Sequence, residues 1–174
     1  PKITDSYNGD FNEIKNNLNQ CIDTIGALVD ETGVLMHAAK DGRLGTRADV
    51  KKVNGVWSKL LKGFNESLDA VIGPLNVAAE YVDRVAKGDL PKNISDEYKG
   101  DFNEVKNNLN TLLDTLRSRG ADVNALIERA MQGDLDYRAD ATKYQGVHKG
   151  AIEGVNVLID AMVKPVKVAA NYVD

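Results

Sequence analysis

The chain has little of what disulfide scaffolds, membrane spans and most catalytic centres are built from. Among 174 residues there are one cysteine, Cys21, two histidines, four prolines and six per cent aromatics. A single cysteine excludes an internal disulfide framework and fits a reducing compartment. No stretch approaches the roughly 18 to 20 consecutive apolar residues of a membrane span, and no cleavable signal opens the chain. Charges of both signs are interspersed, with a net charge of −4 and a pI near 5.3. There is no basic stripe, which argues against nucleic acid or an anionic membrane as the partner. With so few prolines and rings, the expected architecture is all-α, built from helices with aliphatic seams.

What the chain does have is repetition. Shifted by 91 residues it lies on itself without a gap, and 36 of the 83 overlapping positions are identical. Asp10-Phe11-Asn12-Glu13 returns as Asp101-Phe102-Asn103-Glu104, Lys15-Asn16-Asn17-Leu18-Asn19 as Lys106-Asn107-Asn108-Leu109-Asn110, and Val77-Ala78-Ala79 as Val168-Ala169-Ala170. A finer period halves this one. Gly42-Arg43-Leu44, Gly88-Asp89-Leu90 and Gly133-Asp134-Leu135 are spaced by 46 and 45 residues. A second glycine follows each (Gly55, Gly100, Gly146, with Gly9 in the opening fragment), and two residues later comes a ring: Phe11, Trp57, Phe102 or His148. Alternate halves are the most alike, giving an A-B-A-B grain. Such arrays stack supersecondary units that cannot bury an apolar face alone. The units expected are 28–71, 74–116 and 119–162. A partial unit at 1–25 and the start of a further first helix at 165–174 flank them, as in a piece of a longer repeat protein.

The unit from Pro74 to Leu116 is the clearest. Pro74 sits where a helix can begin or re-begin. Val77 or Ala78, Tyr81 and Val85, and more weakly Leu75 and Val82, recur at three- and four-residue spacing, an amphipathic helix of about four turns. Gly88 is placed to end it. Proline, the Asn93/Ser95/Asp96 cluster and Gly100 predict a non-helical connector, with Leu90 and Ile94 as its apolar members. A second helix begins near Asp101, and Phe102, Val105, Leu109 and Leu112 follow the three-four-three spacing of a coiled-coil seam. Antiparallel helices need only a loop of about two to eight residues. A connector of about twelve residues reaches about 40 Å when extended, whereas a helix of about 14 residues spans only about 21 Å. The connector can therefore run back along the first helix and start the second parallel to it, with Leu90 and Ile94 plugging the groove. Two such helices make a poor core alone, so a second copy is expected to complete a parallel four-helix bundle. Between units, one second helix is expected to run almost directly into the next first helix.

These residues resemble HAMP domains, the signal-relay modules of chemotaxis receptors and sensor histidine kinases. Pro74, Gly88-Asp89-Leu90, Ile94, Asp101-Phe102 and Leu109 match the family pattern in order. The third unit matches through Gly133-Asp134-Leu135 without a leading proline, and the unit from Leu28 to Val71 matches with Arg43 in the Asp slot. Phe follows Asp directly here, where the family usually has an Asp-Glu pair. The Lys-Asn-Asn-Leu-Asn repeats resemble tandem HAMP arrays of bacterial methyl-accepting chemotaxis proteins. The resemblance implies tandem HAMP units, a homodimeric coiled coil, a relay of conformational change between flanking sensor and output domains of the same parent chain, and a cytoplasmic location. It implies no catalytic residue, cofactor, metal or nucleic acid, and no direct membrane contact in this fragment. The residues expected to matter structurally are Pro74, Gly88, Leu90, Ile94, Phe102, Val105, Leu109, Gly133, Leu135, Gly42, Leu44, Trp57 and Phe11. The competing reading is a passive coiled-coil spacer. The underfilled seam of Ala78, Ala79, Ala130, Ala151 and Cys21 favours the relay.

The remaining chemistry-bearing residues read as structural. Cys21 takes the place of Leu112 in the seam and is expected to be a small core residue. His148 occupies the ring position and is expected to pack at or beside the bundle, where it could titrate near neutral pH. His37 reads as solvated, and the Lys/Glu pairs on outer faces as exposed surface. Asp134-Leu135-Asp136 and Asp5 with Asp10 lack the ligand ladder of a calcium loop. Gly63 and Gly154, at matching mid-helix positions, read either as sites of close backbone packing or as soft points that ease switching.

Overall fold

A computed structural model describes residues 1–170 and 172. It contains four long helices, α1 (Asp10–Lys40), α2 (Val56–Ala86), α3 (Asp101–Met131) and α4 (Gly146–Ala170), and no strand among the described residues. Extended segments at 41–55, 87–100 and 132–145 join them, and a similar segment precedes α1. Single-turn 3-10 helices interrupt the first and third connectors at Val50–Lys52 and Ala141–Lys143. The chain divides into two compact units, Pro1–Val77 and Ala78–Asp174. The helix expected from Pro165 runs as far as Ala170 within α4, and the end of that stretch lies outside the described residues.

The helix ends follow from the glycines. Gly88 has φ +83°, and its N–H donates to the Val85 carbonyl at 3.0 Å while the Asp89 N–H reaches Arg84 at 2.9 Å. This paired closure satisfies carbonyls that the helix leaves free, and it needs the left-handed conformation that glycine adopts without a Cβ clash. The same two bonds recur at Gly133 and Gly42.

The hydrogen bonds also fix helix direction. Along the connector 89–96, Asp89 pairs with Arg84 and the Lys92 carbonyl with Tyr81, so the connector runs back along α2. The same segment meets α3 in descending order: the Pro91 carbonyl meets Arg117, Asn93 meets Asp114, Ile94 meets Asn110 and the Asp96 carbonyl meets Lys106. A connector antiparallel to both helices makes the two helices parallel to each other, as its length had required. In the connector 132–145, Asp134 meets Arg129 and Tyr144 meets Asp122 on α3, while Arg138 and Ala139 meet Asp160 and Asn156 on α4. The geometry there is the same.

Three expectations change. Pro74 does not start a helix; it lies inside α2, as Pro165 lies inside α4. An interior proline gives up its N–H bond and crowds the carbonyl four residues back, yet α2 runs through it from Val56 to Ala86. Nor do Gly63 and Gly154 mark close packing within the chain, since an added Cβ at either would meet nothing within 4 Å. Cys21 is exposed rather than buried. Leu112, its counterpart, is also 37% exposed, because this row of the helix points away from the connector.

These two kinds of glycine predict substitutions of opposite sign. In urea denaturation of the full chain, Gly88→Ala is expected to destabilise by about 1–2 kcal/mol, the left-handed penalty. Gly63→Ala is expected to stabilise by up to about 1 kcal/mol.

Candidate functional site: the connector groove

An extended segment laid between two helices has no ladder to bond to, because both helices have already used their own backbone groups. The sequence resolves this with one asparagine per repeat. The Asn110 carboxamide accepts from the Ile94 N–H at 2.8 Å and donates to the Ile94 carbonyl at 3.0 Å. Asn65 holds Ala48 in the same way at 2.9 and 3.0 Å, Asn156 holds Ala139 at 3.1 and 2.8 Å, and Asn19 holds Ile3 at 2.8 and 2.9 Å. Each carboxamide imitates a neighbouring strand. Ile94, Ala48 and Ala139, the residues held in the three full connectors, are all buried. The residue just before each is tied one turn further along the following helix, to Asp23, Asp69, Asp114 or Asp160, by Lys2, Arg47, Asn93 and Arg138 respectively. These aspartates are well exposed, so the second tie contributes little energy and mainly sets register. Sequence inspection had singled out none of these four asparagines as sites. The available signal was a poor helix former recurring mid-helix at 19, 65, 110 and 156, in step with the glycines.

Below this shared stitch the connectors differ. In the first, the Glu31 carboxylate is 3% exposed, accepts from the Asp49 N–H at 2.7 Å and pairs with Lys52. Unlike the exposed outer-face pairs Lys62–Glu66 and Lys149–Glu153, this pair has its carboxylate buried. The hydrogen bond from Lys52, with help from the Asp49 N–H, holds the Glu31 carboxyl below its ordinary value and lifts Lys52 above its own. In the third connector Asp122 stands in the equivalent place. It accepts from the Tyr144 hydroxyl at 2.7 Å with Lys143 at 3.6 Å, and burial together with that bond pushes Tyr144 up to about 12. In the second, the equivalent of Glu31 is Val77, and Arg117 instead reaches the Pro91 carbonyl and the Asn93 side chain.

The residues expected from sequence divide between two faces. Ile94 is buried in the groove, and Leu90 and Leu135 are half-buried, but Leu44 is 41% exposed. Trp57 and Phe102 are half-buried and Phe11 is exposed; Gly42, Gly88 and Gly133 close helix ends. On α3, Leu113 is 1% exposed with Leu109 beside it, whereas Val105 and Leu112 face outward. Leu60 and Phe64 on α2, and Ile14 and Leu18 on α1, are also exposed, four residues apart in each case. Among the described residues, no group of His, Cys, Asp and Glu is arranged to hold a metal, and no helix is long and apolar enough to cross a membrane.

The family model of the HAMP domain matches residues 1–27 and 52–118. No solved structure matches the chain.

The Glu31 geometry fixes a sign for pH dependence. A carboxyl held below its ordinary value of 4.5 in the folded state contributes stability that is present above that value and lost as pH falls through the lowered one. Glu31→Gln is expected to be less stable than the parent chain at pH 7, with the difference shrinking on acidification. Urea midpoints measured across pH 3–7 check this. A difference independent of pH would contradict the assignment.

Proposed function

The chain belongs to the HAMP domain family, and on that footing we propose that it is a signal-relay segment of a chemoreceptor or sensor kinase. It works as a homodimer between flanking sensor and output domains of its parent chain, on the cytoplasmic side. Its modules are 28–71, 74–116 and 119–162, with a partial module at 1–25 and the start of another at 165–174. The segment itself carries out no chemistry. Its output is a change in helix rotation, tilt or packing.

The observation that supports this reading is the division of faces on each helix. One face is occupied within the chain by the pinned connector. The adjoining face presents aliphatic side chains, such as Val105 and Leu112 on α3, at seven-residue spacing and 41% and 37% exposed. Seven-residue spacing is that of a coiled-coil seam, and exposed apolar rows of this length are covered in working proteins. A second copy laid parallel supplies the same row and closes a four-helix bundle, since the two helices beside each connector already run in one direction. Small and polar members at the seam position, Cys21 and Ser67 against Leu112 and Leu158, leave the packing uneven, which suits two arrangements of similar energy better than a rigid stalk.

Disulfide trapping tests both parts. With Cys21→Ser as background, single cysteines at 105 and 112 are expected to cross-link two copies readily, while cysteines at 106 and 113 are not. In the parent protein, the rates at 105 and 112 are expected to change with input. A chain that sediments as a monomer would remove the dimer, and input-independent rates at every position would leave only a spacer.

A further inference from the structure

We propose that the module at 119–162 contains a proton-operated contact, His148 on α4 against Arg119 on α3, closed while the imidazole is neutral and opened when it is protonated. The proposal stands on this geometry and does not depend on the relay reading. Arg119 Nη1 lies 3.1 Å from Nδ1 of His148. A guanidinium can only donate, so Nδ1 is the acceptor and the ring carries its proton on Nε2. A proton added at Nδ1 removes the lone pair and leaves two cations in contact, which the closed geometry does not tolerate. Both residues are half-buried, so solvent screens that repulsion less than at an open surface.

The surroundings give the released arginine somewhere to go. Beside Arg119 is the Tyr144 hydroxyl of the connector, which is held by Asp122 of α3, as is Lys143 at 3.6 Å; on α4 itself Lys149 is engaged with Glu153 at 3.7 Å. Asp122 is three residues from Arg119 on the same helix, the spacing of side chains that meet. It is already the acceptor for the Tyr144 hydroxyl at 2.7 Å. An Arg119 expelled from His148 competes for that carboxylate, so protonation of the ring is felt by the bond anchoring Tyr144 and hence by the connector.

The substitution pattern singles out this module. At the corresponding positions the module at 28–71 has Leu28, Val53 and Trp57, an apolar trio, and the ring position elsewhere is Phe11 or Phe102. Arg119, Tyr144 and His148 replace all three apolar side chains together. A lone histidine at a ring position would be unremarkable. A histidine arriving together with its donor and the tyrosine that shares the donor's alternative acceptor is a linked set. Histidine is also the side chain whose charge changes between about pH 5 and 8.

Side-chain NMR of the full chain, with His37 identified by His37→Gln, is the test. With the ring neutral, His148 is expected as the Nε2–H tautomer. On lowering the pH, the Arg119 guanidinium signal is expected to shift in step with the His148 ring signals, and the protection factor of the Tyr144 amide, taken relative to intrinsic exchange at each pH, is expected to fall severalfold. His148→Gln keeps an acceptor without a titrating charge and is expected to abolish the Arg119 shift; the titration of the unsubstituted chain decides alone if that variant does not fold. An Nδ1–H tautomer at high pH, or an Arg119 signal that stays flat while the ring titrates, would overturn the proposal.

Discussion

The fold depends on satisfying an extended backbone trapped between two helices. Helices supply no free donors or acceptors along their flanks, so a buried connector would leave amide groups unpaired at a cost of about 1–3 kcal/mol each. One asparagine per repeat removes that cost at one residue of the connector, buried in each of the three full connectors, giving both N–H and C=O a partner from a single side chain. The parallel direction of the helices follows. A connector held midway along the following helix, and running back along the preceding one, admits only helices that point the same way.

With the connector fixed from within the chain, each helix has two faces with separate duties. The groove face carries Ile94, Leu113 and the asparagine, and it sets the internal structure of a module. The outward face carries Val105, Leu112 and their counterparts, and it is left for association. The two kinds of connector hold the groove with different chemistry. Where a carboxylate sits against the connector, as with Glu31 and Asp122, the tie is an ion pair or a hydrogen bond from the Tyr144 hydroxyl to the carboxylate. Where valine replaces it, Arg117 of the following helix donates to the Pro91 carbonyl and the Asn93 side chain of the connector. The A-B grain of the sequence is thus an alternation in how the connector is anchored, on a stitch common to all.

The sequence was most readable where one residue type has one physical use. Gly88 and Gly133 announced helix ends because only glycine takes that φ freely, and the connector length announced parallel helices because antiparallel ones need no such reach. Ile94 was legible as an apolar residue in a polar stretch. The asparagine clamps were not, since Asn110 lies within a polar Lys-Asn-Asn-Leu-Asn run and nothing local separates a surface amide from one that binds backbone. Its recurrence at 19, 65 and 156 was the signal, visible only once the repeats are laid in register. Pro74 misled because proline fits the first turn of a helix as well as an interior where one hydrogen bond is surrendered. Glu31 was not legible as a buried carboxylate, because only the connector passing over it makes it buried.

The central claim is that a side-chain amide holds the connector. It is tested most directly by hydrogen exchange at the Ile94 amide in the full chain, with and without Asn110→Ala. The account predicts a protected Ile94 amide that exchanges about tenfold to a hundredfold faster in the variant, the equivalent of losing about 1–3 kcal/mol, while α3 keeps its own protection. An Ile94 amide that exchanges as fast as that of exposed Lys92, or one unchanged by the substitution, would contradict it.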